Sequence, residues 1–109
     1  MSRLAAGIWV RAYMTRLGLE NIPAYVLQKG DATAGAVWVK VARLDGNADL
    51  WERQYDLAAD ARRWVCTMTD AESAIDARIA RETGRDRDLW VIELESREGR
   101  SLLDDPSLA

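Results

Sequence analysis

Residues 26–41 read Val26-Leu27-Gln28-Lys29-Gly30-Asp31-Ala32-Thr33-Ala34-Gly35-Ala36-Val37-Trp38-Val39-Lys40-Val41, and the chain then turns at Asp45-Gly46-Asn47 and runs on to Tyr55. A small-residue loop, Gly30 to Gly35, opens onto an alternating stretch in which Val37, Val39 and Val41 share one strand face and Trp38 and Lys40 the other. Gly and Asn tolerate positive φ, so Asp45-Gly46-Asn47 predicts a hairpin, and the segment reads as an antiparallel meander with the valines inward.

Outward from this ribbon, apolar positions Ala6, Val10, Tyr13, Met14 and Leu17 recur at helical spacing from Leu4 to Leu17, with Gly18 at the expected terminating position. The β-favouring triplet Ile8-Trp9-Val10 leaves an extended start as the alternative. Ile22-Pro23 breaks the chain, and a strand follows from Ala24 to Lys29. Beyond the hairpin, Ala48 to Tyr55 predicts a strand with Trp51, Arg53 and Tyr55 on one face and Leu50, Glu52 and Gln54 on the other. Asp56 to Ala61 reads as a turn or short helical piece. Arg62 to Met68 is the next strand, with Trp64, Cys66 and Met68 on one side.

Thr69-Asp70-Ala71-Glu72 has the spacing of a capping box, opening a helix with an Ala71, Ile75, Ile79 stripe that Gly84 ends. Asp88 to Glu95 predicts a fifth strand with Trp90, Ile92 and Leu94 buried and Glu93 and Glu95 opposite. Arg97-Glu98-Gly99-Arg100 reads as a tight turn, Ser101 to Leu103 as a short return, and residues 104–109 as a frayed tail. The order α-β-β-β-β-α-β, four to five strands and two helices, predicts an α+β fold in one domain, the helices covering one face of a mostly antiparallel sheet.

Four blocks resemble the DUF1491 family of small alphaproteobacterial proteins: Gly7-Ile8-Trp9-Val10, Ile22-Pro23-Ala24, Lys29 through Val37, and Asp88 through Glu93 with Arg97-Glu98-Gly99-Arg100. The likeness runs from Leu4 to Leu103. It implies an alphaproteobacterial source and a cytoplasmic setting, and no assigned activity. Members tend to carry His after the arginine of the last block, where this chain has Ser101.

The chain has 109 residues, enough to bury roughly 65 % of its unfolded surface in one core. It carries a net charge of −3, which offers polyanions no general attraction, although all but two of its 15 basic residues are arginine. One cysteine excludes an intramolecular disulfide and fits a reducing compartment. The start of the chain lacks the pattern of a signal peptide, and no apolar run approaches the length of a membrane span, so a cytoplasmic, unanchored protein is expected.

The chain contains no histidine. That removes Ser-His and Cys-His nucleophile pairs, His metal ligands and the one side chain that ordinarily titrates near neutrality, and it argues against an enzyme. Cys66, mid-strand, reads as a buried inert thiol rather than a reactive one. Gly30 to Gly35 has the G-x-x-x-x-G spacing of a phosphate loop, yet Ala36-Val37 stands where Lys and Ser or Thr are required, and a strand follows instead of a helix.

Two readings of the loop remain. In one, its amides and Lys29, Asp31 and Lys40, with Arg97 or Arg100, hold a small anion; in the other, Asp31 caps a plain connection whose glycines supply positive φ. Glu93 and Glu95, with Asp31 or an Asp of the tail, are a weaker cation or acid–base candidate beside the reading of a solvated face, and Arg97, Glu98 and Arg100 read as exposed ion pairs or an anion clamp. Five tryptophans are many for one small core, so Tyr25, Trp38 and Trp51 are candidates for an exposed interaction surface, against the reading that they are core.

The expectation is a non-enzymatic interaction or regulatory module acting on a protein partner or a second copy. The alternative is a small anionic-ligand binding protein or enzyme built on Gly30 to Gly35. No cofactor, metal or membrane is implied, and nucleic acid binding through Arg62, Arg63, Arg85 and Arg87 ranks last.

Overall fold

The computed structural model describes residues 4–108. Helix α1 spans Ala6–Leu19, followed by strands β1 Ala24–Gln28, β2 Val37–Ala42, β3 Asn47–Asp56 and β4 Ala61–Ala71, helix α2 Glu72–Arg85 and strand β5 Trp90–Glu95. The predicted order α-β-β-β-β-α-β is the order observed. The sheet runs β1-β5-β2-β3-β4, and β5 pairs antiparallel with β1 but parallel with β2, so the sheet is mixed.

The helices lie on opposite faces, not on one. Trp9, Val10, Tyr13 and Leu17 of α1 pack on Val37, Val39, Val41, Ile92 and Leu94, while Ile75 and Ile79 of α2 pack on Trp38, Leu50 and Val91. Every residue of β2 is therefore buried, the pattern of a strand covered on both sides. The triplet Ile8-Trp9-Val10 is helical because Trp9 and Val10 gain core contacts that outweigh a weak β preference.

Gly18 lies inside α1, and the terminating role passes to Asn21 at φ +58. The Ile22 N–H donates to the Leu17 carbonyl at 2.9 Å and the Asn21 N–H to the Gly18 carbonyl at 3.1 Å, a Schellman closure sealed by the buried pair Leu17 and Ile22. At the other helix the capping box does not form. Strand β4 continues to Ala71, the Thr69 hydroxyl donates to Asp49 at 2.9 Å, and the first amide of α2, at Glu72, donates to the Gly46 carbonyl at 2.8 Å. The hairpin turn thus caps the helix, with Gly46 at φ +93.

The long β3–β4 ribbon carries a one-residue bulge: Leu50 faces Met68 and Trp51 faces Cys66, leaving Thr67 unpaired. The bulge divides the residues expected on a single face. Trp64 joins the α1 core and Met68 packs on the α2 core.

Residues 104–108 are docked and not frayed. Leu108 is buried, its carbonyl accepts from the Trp9 indole at 3.0 Å and the Trp64 indole at 3.3 Å, and Arg16 pairs with Asp105. Ala109 lies outside the described residues. The turn at Arg97 to Arg100 is present, with Gly99 at φ +72, but Ser101 to Leu103 forms no strand. No helix among the described residues is long and apolar enough to cross a membrane.

Candidate functional site

The loop from Gly30 to Gly35 is a clasp between α1 and β5. Its Ala32 carbonyl accepts the Gly7 amide at 2.9 Å and its Thr33 carbonyl the Ala6 amide at 3.3 Å, supplying the acceptors that the first turn of α1 lacks from any side-chain cap. The Asp31 carboxylate accepts the amides of Thr33 at 3.1 Å and Ala34 at 2.7 Å, the Asp31 amide donates to Asp88, and the Gly35 amide returns to the Asp31 carbonyl. The Trp90 indole donates to that same carbonyl at 2.8 Å.

Four amides that an external anion would need are thus already donating within the protein. The glycines are also there for space and not for positive φ: a Cβ at Gly30 would stand 2.1 Å from the Asp88 carbonyl oxygen, and one at Gly35 would stand 2.2 Å from it.

The basic residues assigned to the loop are dispersed. Lys29 is exposed beside it. Lys40 is buried on the α2 face, where its ammonium meets Glu72 at 2.8 Å, Asp76 at 2.6 Å and Glu93 at 3.0 Å. Burial works to lower the lysine pKa, but hydrogen bonds to Asp76, Glu72 and Glu93 outweigh it and hold the group above its ordinary value. Arg100 pairs with Glu20, and the Arg97 carbonyl accepts from Arg43.

The loop holds the first residues of α1 and Arg100 the residue after its last, so the two sit at opposite ends of a 14-residue helix roughly 20 Å long. No small ligand touches both. Glu93 is engaged by Lys40, which removes it from the cation reading. Arg63 and Arg85 each face a carboxylate, Asp56 and Glu82. Cys66 is exposed on β4 and not buried: beside the bulge it belongs to neither of the helix-packed clusters that Trp64 and Met68 join. Ser101 is buried, with its carbonyl accepting the Tyr13 hydroxyl at 2.7 Å.

Of the three interaction candidates, Trp38 is only 7 % exposed beneath α2, with the Arg78 guanidinium 4.7 Å over its ring. It was expected on an open face, and α2 covers that face. Trp51 is half-buried on the α1 side. Tyr25 alone is open, and it does not stand alone: Tyr25, Val26 and Leu27 are 50, 43 and 52 % exposed in succession on β1.

Strand β1 ends the sheet, so among the described residues one of its edges has no neighbour. It contains no charged residue, unlike most exposed edges. Val26 and Leu27 escaped the sequence reading because an apolar run between Pro23 and Lys29 looks the same whether its strand is central or at the edge.

A second feature lies on the α1 face. The Arg53 guanidinium sits 4.8 Å over Trp9 and 4.9 Å over Trp64. With Arg62, Ala6, Trp9 and Ala36 it lines a cleft of about 390 Å³ next to the clasp.

Comparison with known proteins places this geometry. A family profile described as "Protein of unknown function (DUF1491)" matches residues 4–104. A crystal structure of a DUF1491 family protein from Caulobacter crescentus is similar at 39 % identity, over 94 % of this chain and 95 % of that one, with a TM-score of 0.80. An NMR structure of a DUF1491 family protein from Caulobacter crescentus is similar at 38 % identity, over 97 % of each chain, with a TM-score of 0.81. A solution structure from A. tumefaciens is similar at 31 % identity, over 94 % of this chain and 93 % of that one, with a TM-score of 0.76. Among curated proteins none matches.

Proposed function

The chain belongs to the DUF1491 family, and we propose that it is a non-enzymatic interaction module that docks a partner strand on the free edge of β1. The carrying observation is the run of three open apolar residues, Tyr25, Val26 and Leu27, on an edge strand without charge. An added strand would satisfy the main-chain groups of that edge and cover those side chains at once. The absence of histidine from the sequence fits a module without acid–base chemistry near neutral pH. We place it in the cytoplasm of an alphaproteobacterium, as the family resemblance implies.

The test is affinity capture with the immobilised protein and its Val26→Pro variant. Partners retained by the first and lost from the second support the proposal. Identical captured sets, or none from either, count against it.

A second reading is favoured by the cleft that Arg53 and Arg62 line: a small anion held by guanidinium groups. It moves the anion hypothesis away from the amides of the Gly30 to Gly35 loop. A thermal-shift screen of nucleotides and phosphorylated metabolites against the protein and Arg62→Ala checks it, and no stabilisation of the unmodified chain would dismiss it.

A further inference from the structure

We infer that the strand taken up by β1 is β1 of a second copy, paired antiparallel about a dyad at Tyr25. This rests on the docking reading above and names its partner.

The direction of the main chain sets the register. β1 and β5 pair Ala24 with Leu94, Tyr25 with Glu93 and Val26 with Ile92, and the next step back is marked by the Glu95 amide donating to the Pro23 carbonyl at 3.0 Å. In an antiparallel ladder these groups alternate between neighbours, so Tyr25 is turned toward β5 like Pro23, and the N–H and C=O of Ala24 and Val26 point off the sheet. A dyad at Tyr25 sets Ala24 of one copy against Val26 of the other, twice over. Four outward groups on each copy then close into a reciprocal set of main-chain hydrogen bonds.

The side chains fit the same register. Tyr25 meets its own counterpart in a non-hydrogen-bonded pair, where opposed Cα atoms come within about 4.5 Å and ring contact is favoured. Val26 lies beside Ala24, and Leu27 beside Pro23. Every opposed pair from Pro23 to Leu27 is uncharged, so two chains of net charge −3 meet on a segment where neither carries a charge.

The bulge in β1 between Val26 and Gln28 limits the ladder to this short stretch. The contact is isologous and closes on itself, giving a dimer and not a fibre. Its small area makes the dimer concentration-dependent.

Sedimentation velocity over a concentration series reads the mass of the full chain, of Val26→Pro, which deletes an outward donor on an edge where proline is tolerated, and of Tyr25→Lys, which opposes two like charges at the dyad. The expected result is a shift from 12.2 kDa toward twice that mass in the unmodified chain, absent from both variants. A Cys66→Ser, Tyr25→Cys chain under mild oxidation should also cross-link to a covalent dimer, since a non-hydrogen-bonded pair meets disulfide spacing. A dimer that survives both substitutions uses another surface and overturns the inference. A chain that stays monomeric while Val26-dependent partners are captured overturns self-pairing and leaves the docking edge standing.

Discussion

Lys40 and Glu93 stand directly opposite each other on the parallel strands β2 and β5, ammonium to carboxylate 3.0 Å apart, on the face that α2 covers. Glu72 and Asp76 complete the enclosure from α2. One cation therefore ties the middle of the sheet to the helix that covers it.

Replacing Lys40 by Ala opens a void beside Glu93, while Glu72 and Asp76 stay partly in water, and is expected to cost about 2 kcal/mol, below the scale for breaking a fully buried ion pair. Lys40→Met, which fills the volume, should cost less. Chemical denaturation of the three proteins checks the order, and equal stability of Lys40→Ala and the unmodified chain would contradict the enclosure.

The folded-state pKa of Lys40 is raised, so its contribution is complete below the ordinary lysine value near ~10.4 and fades as pH rises above it. Tyr13, whose phenol burial raises, loses its contribution in the alkaline range too. Melting curves from neutral to strongly alkaline pH should fall more steeply for the unmodified chain than for Lys40→Met, and the difference isolates the lysine.

Gly30→Ala and Gly18→Ala should move stability in opposite directions. A Cβ at Gly30 drives into the backbone at Asp88 and Leu89, so the clasp must open and the melting temperature fall by several degrees, about the effect of 1–3 kcal/mol of strain in a domain this size. At Gly18, within α1, nothing lies within 4 Å, and alanine should add about 0.5–1 kcal/mol.

Leu108→Ala should cost about 2–3 kcal/mol and shift tryptophan emission to the red, because Trp9 and Trp64 lose the segment that covers them. Asp105 is held below its ordinary pKa by the Ser107 amide and hydroxyl and by Arg16, so the docking contribution it makes is present above about pH 4 and lost as pH falls further. Unchanged fluorescence in Leu108→Ala would show the tail to be unseated in solution.

Cys66 is exposed, so an aromatic disulfide reagent should label one thiol in the native protein without denaturant. Reaction only after denaturation would place the thiol inside and contradict the position of the β4 bulge.

The strands were legible because valines at alternate positions and an Asp-Gly-Asn turn leave little other choice between Val37 and Tyr55. The placement of β5 was not, since nothing local to Trp90 through Glu95 says whether its neighbour runs beside it or against it. The burial of Trp38 followed from the second helix crossing to the other face, a fact of connection and not of pattern. Thr69 and Glu72 have capping-box spacing, yet Asp49 and Lys40 offered those side chains stronger partners. In the loop, spacing alone suggested free amides, whereas in the fold Asp31 accepts those of Thr33, Ala34 and Gly35. The open edge of β1 was half visible, in Tyr25 but not in Val26 and Leu27.

The slot between β1 and β2 is filled by a segment that leaves the ribosome more than forty residues after both of them. During synthesis the two early strands have no hydrogen-bonding neighbour in common, and the sheet stays split until Trp90 to Glu95 is delivered. Closure is thus a late, long-range event, and until then the nascent chain carries two unzipped apolar margins.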